Sequence, residues 1–395
     1  MESQSSDTQG AHRGRIVVIE YRLIQEDLTA LFETAGFEVK VLGATELKVG
    51  PFRALCREWK PDLLLSINYS PDLALLATFV RVPYVSWTID PLPASRMAVR
   101  NGTEQASCLL FCHRSASVGD FTKLEFKDVR SLLLAAPQER RSPVENLESL
   151  KPYRAPVSFV GNSLTDDSSG FAPVLDEHQL ERRVEELDTF LQNIFDAHGH
   201  HAHWKGLTDP AAALPEEFLI YVTADNERIQ CLEAANGRMA HLFRLAQVTA
   251  LSDMGIHVWG DAGWNIEGLN YRGIANHDEE LTKIYCASQI NLDVPRLYQR
   301  DIITMRVFDV LASGGCLLAE SSKELSEYFT PGEHLFTYSG VEDLRDKVTE
   351  LTNAPDRCRE VAENGRREVL EKHTLEHRFQ VILEACYERG WLKAK

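Results

Sequence analysis

The eight cysteines include no Cys-x-x-Cys pair and no tight zinc spacing, so neither a disulfide framework nor a zinc module is written into the chain, and a cytoplasmic protein is expected. Long apolar runs are absent too. None approaches the ~18 residues of a membrane span and the N-terminus carries no hydrophobic leader core, so no transmembrane segment is expected. Positive charge is in short supply: 42 Lys and Arg against 59 Asp and Glu leave a net −17. That balance argues against a nucleic-acid partner, which demands clustered cations to displace counterions, and it requires any anionic ligand to meet a local basic pocket. A Gly-x-Gly-x-x-Gly fingerprint is also missing where a dinucleotide fold would carry it. Ile19 leads instead into Glu20-Tyr21-Arg22, which disfavours a nicotinamide-dependent dehydrogenase.

What the chain does contain is ordinary globular material: 395 residues, 44% hydrophobic and 26% charged, enough for two or three cores. Residues 1–14 read as a disordered tail. From there, near-continuous apolar strands (Ile16 to Ile19, Phe37 to Leu42, Asp62 to Ile67, Tyr84 to Thr88, Leu109 to Cys112) alternate with segments of helical spacing around Leu28 to Ala35, Phe52 to Trp59 and Asp72 to Val80. A further apolar run spans Leu132 to Ala135. Apolar strands alternating with helices predict a parallel sheet covered on both faces. The pattern places a first Rossmann-like domain at 15–155 and a second at 156–375, with a helical insertion at about 174–252. In the second, strands are expected at Val157 to Val160, Ile256 to Gly260, Tyr271 to Ile274, Gln289 to Leu292 and Cys316 to Ala319. Helices are expected over Asp278 to Ala287 and Thr304 to Ser313, with closing helices to Trp391. Ligands of such sheets bind outside the carboxyl ends of the strands, so a cleft between the two domains is the expected site.

The chemistry concentrates in Arg296 to Glu320. Arg296, Arg300 and Arg306 form a local basic cluster suited to a diphosphate, although arginines of this density equally pair with neighbouring carboxylates. Asp301 and Asp309 flank the start of the helix near Thr304. A carboxylate there can accept both hydrogen bonds of a ribose diol, while the helix N-terminus holds phosphate. His198, His200, His201 and His203 cluster around Gly199 with no Cys or acidic partner spaced to them, which reads as adventitious rather than functional metal binding, and no metal or cofactor is expected. Trp259 and Trp264 bracket Gly260; either packing or stacking on a ligand suits them. Cys108 and Cys112 read as small buried hydrophobes.

Three spaced segments carry a family resemblance. Met305-Arg306-Val307-Phe308-Asp309-Val310-Leu311-Ala312-Ser313-Gly314-Gly315, then Glu327-Tyr328-Phe329-Thr330-Pro331-Gly332-Glu333, then Lys372-His373-Thr374-Leu375-Glu376-His377-Arg378 resemble the CgeB-like (spore maturation protein) glycosyltransferases of the group 1 superfamily. Lys60 to Ser66 and Pro156 to Gly161 look like first-domain segments of the same proteins. The resemblance implies a GT-B fold, two facing Rossmann-like doubly wound parallel-sheet domains, with a nucleotide-sugar donor on the second and the acceptor on the first. The C-terminal helix, 376–395, is expected to pack back on the N-terminal domain. By the same analogy Asp309 sits at the second acidic position of the family motif and Asp301 at the first, each one methylene shorter than the usual Glu. Gly161, Asn162, Gly260 and Asp261 are expected beside the diphosphate with Arg300, Arg306 and Gly314, and Arg272 and Ile274 near the base. For catalysis the candidates are Asp90, which also suits an ordinary Asp-Pro turn, and His113, which also suits a satisfied surface histidine. The implied activity is metal-independent sugar transfer from a nucleoside-diphosphate sugar to an acceptor hydroxyl of a protein, a surface glycan or a small molecule. The alternative is a catalytically degenerate GT-B module serving as a scaffold in surface-glycan assembly, motivated by the two Asp-for-Glu positions.

Overall fold

The computed structural model describes residues 13–43, 47–90, 107–165, 189, 191–193, 195–197, 225–297 and 302–393. The chain divides into two compact units, one comprising the residues up to Leu133 with those from Leu375 onward, the other Leu134–Thr374.

In the first unit, strands β1 (Arg15–Ile19), β2 (Glu38–Leu42), β3 (Leu63–Ile67), β4 (Tyr84–Thr88), β5 (Cys108–Cys112) and β6 (Val129–Ser131) form one sheet in the order β2-β1-β3-β4-β5-β6. Every pairing is parallel. Helices α1 (Gln25–Thr34), α2 (Val49–Glu58), α3 (Pro71–Val80) and α4 (Ser115–Lys123) connect them. All five residues of β3, β4 and β5 are buried, which is why these segments read as unbroken apolar runs instead of alternating. Local signals agree with this placement: Ser70 caps α3 by accepting from the Leu73 N–H at 3.4 Å, and Pro71 fills the first helical position, where its missing N–H costs nothing. Leu132 to Ala135 is not a strand. The sheet edge ends at Ser131, and the Leu132 backbone is used by its neighbours, its N–H donating to Cys112 O and its carbonyl accepting from Trp87 Nε1 at 3.1 Å.

In the second unit, β7 (Ala155–Val160), β8 (Ile256–Trp259), β9 (Asn270–Tyr271), β10 (Ser288–Asp293), β11 (Leu317–Glu320) and β12 (Phe336–Tyr338) are ordered β12-β11-β10-β7-β8-β9, again all parallel. Its helices are α5 (Asp225–Thr249), α6 (Leu281–Ala287), α7 (Met305–Ala312), α8 (Lys323–Tyr328), α9 (Gly340–Thr352) and α10 (Pro355–Lys372). The core joins Val157, Phe159, Val258, Ile290 and Leu292 of the sheet to Met239, Phe243 and Val248 of α5 and to Leu344 and Val348 of α9. Fully burying a side chain of this size contributes about 1.5–3 kcal/mol. The strand expected over Tyr271 to Ile274 stops at Tyr271, because Gly273 turns the chain at φ 82° and its carbonyl accepts from Gly260 N. The short β12 has too few residues to show a period. Most of the expected insertion lies outside the described residues; α5 forms its end.

The division falls at Leu133, not at residue 155. Residues 134–154 have little apolar periodicity and are held by side-chain bonds to partners remote in sequence. Arg140 pairs with Asp278 at 3.0 Å, Thr282 Oγ1 donates to Arg140 O at 2.9 Å, and Tyr153 OH donates to Glu280 at 2.8 Å. The last helix, α11 (Leu375–Glu388), belongs to the first unit. Phe379 meets Phe32 edge-on at 4.9 Å, Arg378 Nε donates to Leu133 O at 2.9 Å, and Arg389 just beyond the helix pairs with Asp128 at 2.8 Å. Among the described residues no helix is long and apolar enough to cross a membrane.

Candidate functional site

A doubly wound sheet opens a crevice where its strand order reverses, outside the carboxyl ends of the two strands flanking the reversal. In the second unit that point lies between β7 and β10, and Arg306, in the first turn of α7, spans it. Its Nε donates to Val160 O at the end of β7 at 2.8 Å, and Nη1 pairs with the Asp293 carboxylate at the end of β10. Thr304, at the N-cap of α7, donates to the same Asp293 oxygen at 3.0 Å. A Cβ on Gly161 would stand 2.7 Å from Arg306 Nη2, so glycine is what lets the guanidinium cross the strand end. Below lies the Phe159 ring, 5.2 Å from the Arg306 guanidinium and 5.7 Å from that of Arg244.

Helix α5 supplies the other wall. Arg244 donates to Asn162 O at 2.7 Å and to Val294 O at 3.0 Å, and His241 Nδ1 lies 2.8 Å from Ser163 O. Burial holds the His241 imidazole below its usual range, so it is neutral near pH 7, its Nδ1–H donating to that carbonyl. The turn after β8 is locked to the turn after β7. Asp261 accepts from Ser163 N at 2.8 Å, Ser163 Oγ at 2.6 Å and Gly263 N at 3.0 Å, and Trp264 Nε1 donates to Gly161 O at 2.7 Å. Between the ends of β10 and β11, Asp293, Thr304, Glu320, Ser321 and Ser322 line a cavity of about 20 Å³, the size of one water. The edge thus concentrates two guanidiniums, an imidazole and the N-terminus of an eight-residue helix beside two glycine turns.

Several expectations change here. Arg306 is at the crevice but engaged by Asp293. Asp261 spends its carboxylate on the turn, so it is a brace for the loop and not a free group beside a diphosphate. Asp309 is buried: Arg141 Nε, on a side chain with no exposure, stands 3.3 Å from its Oδ1, so no ribose diol reaches it in this conformation. Burial pushes the Asp309 carboxyl above the ordinary range, opposed by the Arg141 charge. Arg141 Nη2 also lies 3.2 Å from the His277 ring, whose basicity is lowered by burial and then by that guanidinium. Gly314 lies at the wrong end of α7. It follows the helix C-terminus at φ 77° against Pro143 and Arg366, at the amino edge of the sheet. That edge borders an open hollow of about 590 Å³ lined by Arg154, Cys286, Gly314, Cys316 and Cys358. Trp264 is fully buried against Phe159, so it packs and does not stack on a ligand. Asn162 is exposed at the carboxyl edge. Arg272 is exposed too, donating to Pro152 O at 3.3 Å, and Ile274 presents a 78% exposed side chain beside it. Arg300, Asp301 and the histidines at 198, 200, 201 and 203 lie outside the described residues.

In the first unit the order reverses between β1 and β3, and the residues following those strands meet there. Tyr21 OH donates to Asp90 Oδ2 at 2.6 Å, and Asn68 Nδ2 donates to the same oxygen at 2.8 Å. Asp90 is exposed, after the end of β4. His113 is buried, not a surface histidine, with Nδ1 3.2 Å from Thr88 O. Sequence reasoning singled out neither Tyr21 nor Asn68 as a site residue, nor Arg141, His241, Arg244 and Asp293. For Asp293 and Asn68 a signal exists, a polar residue ending an apolar strand. The others show none, since a lone Arg or Tyr in a helix or loop is indistinguishable from a surface residue.

Residues 238–384 match a family model described as glycosyl transferase-like. No curated protein matches the chain in sequence. Among solved structures the chain is similar to a glycosyltransferase from Rickettsia africae ESF-5, with 11% identity, 96% of this chain and 99% of that one covered, and a TM-score of 0.60. It is similar to the sucrose-phosphate synthase of Thermosynechococcus elongatus, at 10% identity, 95% and 99% coverage and a TM-score of 0.56. It is also similar to HepE of Anabaena in complex with UDP-glucose, at 11% identity, 95% and 100% coverage and a TM-score of 0.54. The fold is therefore α/β of GT-B type, with two six-stranded parallel sheets.

Proposed function

We propose that the protein is a glycosyltransferase that takes a sugar, a hexose or a related one, from a nucleoside-diphosphate donor held by the second unit and passes it to a hydroxyl acceptor held by the first. The observation that carries this reading is the carboxyl edge of the second sheet, where Arg306, Arg244 and the N-terminus of α7 gather positive potential around Gly161 and Asn162, beside the neutral His241, in a chain of net charge −17. The glycosyl transferase-like match over α7 and its flanking strands, and the UDP-glucose bound by the Anabaena neighbour, support it. Exposed Ile274 offers an apolar surface for the base. In the transfer, the acceptor oxygen bonds to the anomeric carbon and its proton passes to a carboxylate, for which Asp90 is the candidate. The bond from that carbon to the diphosphate breaks, and its electron pair leaves with the diphosphate. Helix N–H groups and guanidiniums stabilise the leaving charge, with no metal assigned a part. The seven free cysteines among the described residues suit a reducing compartment such as the cytoplasm. The CgeB-like subfamily, on the quoted segments, is the affiliation we favour.

One observation favours the scaffold alternative: Asp309 and Arg306, both expected to touch the donor, are each engaged by a protein partner. A panel of nucleotide sugars separates the two readings. The transferase reading expects release of nucleoside diphosphate by slow hydrolysis, unaffected by a chelator; binding without release supports the scaffold, and neither binding nor release refutes both.

A further inference from the structure

Asp90 is an exposed aspartate whose carboxylate does not turn freely. Its Oδ2 receives two donors, the Tyr21 phenol at 2.6 Å and the Asn68 amide at 2.8 Å. Asn68 is itself clamped at every polar atom. Its N–H donates to Trp87 O, its carbonyl accepts from Ser66 Oγ at 2.8 Å, and its Oδ1 accepts from Ile89 N at 2.9 Å and Asp90 N at 3.0 Å. With Oδ1 committed to two N–H groups, the amide has one orientation, and its Nδ2 is aimed at Asp90. Holding this arrangement puts Asn68 at φ 64°, a left-handed conformation that Asn tolerates better than most residues. Tyr21 is kept protonated, first by burial and then by the carboxylate it donates to, so it stays a donor throughout the neutral range. Among the described residues nothing bonds to Asp90 Oδ1.

We propose that Tyr21 and Asn68 are positioning residues that saturate Asp90 Oδ2 and present Oδ1 as the atom that meets the ligand hydroxyl. The inference rests on the transferase reading. A free carboxylate would share its lone pairs among rotamers, whereas a pinned one offers a single acceptor in one direction, which is what orienting a nucleophile requires. The three residues come from the ends of β1, β3 and β4, and β1 and β3 flank the point where the strand order reverses, so the constellation sits where a doubly wound sheet receives its ligand.

The test uses the full chain and whichever nucleotide sugar of the panel it hydrolyses, with water as acceptor. Tyr21→Phe keeps the ring and removes one donor; we expect kcat to fall about tenfold at unchanged donor KM and unchanged melting temperature. Asn68→Gly keeps the left-handed backbone and should act in the same direction. Asp90→Asn should lower kcat by about a hundredfold or more. In the Asp90→Asn background, Tyr21→Phe should change kcat by less than about twofold, because the phenol acts through the carboxylate. If Tyr21→Phe matches the parent, or costs the same tenfold with Asp90 already replaced, the inference is overturned while the transferase reading stands. No hydrolysis of any donor by the unaltered protein overturns both.

Discussion

The Arg141–Asp309 pair makes the sharpest prediction, because two roles for Asp309 diverge there. Side-chain exposures are 0% for Arg141 and 4% for Asp309, so neither charge has water to fall back on. Arg141→Met keeps most of the volume and leaves Asp309 buried without its counter-charge, a change that costs about 3–5 kcal/mol in comparable buried pairs. For a unit of this size each kcal/mol moves the melting temperature by about 2–4 °C, so the variant should melt roughly 10 °C lower at pH 7. The sign with pH follows from burial. The folded state already holds the Asp309 proton more tightly than the unfolded chain, so this group's contribution falls as pH rises from the ordinary carboxylate range through its raised folded value. Removing Arg141 raises that folded value further, so the deficit of Arg141→Met should shrink as pH is lowered towards 5. Asp309→Asn in the Arg141→Met background should recover most of the loss. Scanning calorimetry at several pH values reads all three. A drop below about 3 °C, or a deficit independent of pH, would show that the pair is not the buried electrostatic brace argued for here.

The remaining expectations are simpler. Gly260→Ala places a Cβ 2.2 Å from Gly161 O, a contact with backbone that cannot yield, and should destabilise the second unit by about 1–3 kcal/mol in thermal melts. His241 is held neutral by burial, so the unfolded chain takes up its proton more readily. Its contribution is complete above the ordinary histidine range and is lost as pH falls through that range towards the depressed folded value. His241→Gln should therefore flatten the decline in melting temperature between pH 7 and 5; an unchanged slope would remove the imidazole from the account. Arg306→Ala unties β7 from β10 and leaves the Asp293 carboxylate unopposed at this edge, where it repels a diphosphate, so donor affinity by calorimetric titration should fall more than tenfold, and equal affinity would displace the donor site from this edge.

Periodicity carried the architecture a long way. Tyr84–Thr88 matches its expected bounds, and most of the other strands shift by a residue or so, because buried parallel strands need unbroken apolar runs and turn residues must end them. Errors cluster where tertiary contacts override local pattern. Leu132 to Ala135 is as apolar as a strand yet lies beyond the sheet edge, the three residues of β12 are too few to show a period, and the hydrophilic segment before β7 is bound to the second unit by Arg140, Arg141 and Tyr153. Site residues divide the same way. Gly161 and Gly260, which the family analogy places at the strand ends, stand where a Cβ would meet Arg306 Nη2 or Gly161 O, while Gly314 follows a helix C-terminus, which uses the same residue for a different reason.

By itself, then, the sequence determined a parallel α/β chain with two sheets, and where along it the loops at the strand ends fall, since burial and turn chemistry act locally. Strand order was decided only in three dimensions: the run β1-β3-β4 puts Tyr21 next to Asp90, and β7 beside β10 lets Arg306 join Val160 to Asp293. So was the state of each charge. A carboxylate reads the same in a sequence whether it waits for a ribose or is already sealed against an arginine, because pairing is set by desolvation and distance between segments far apart in the chain.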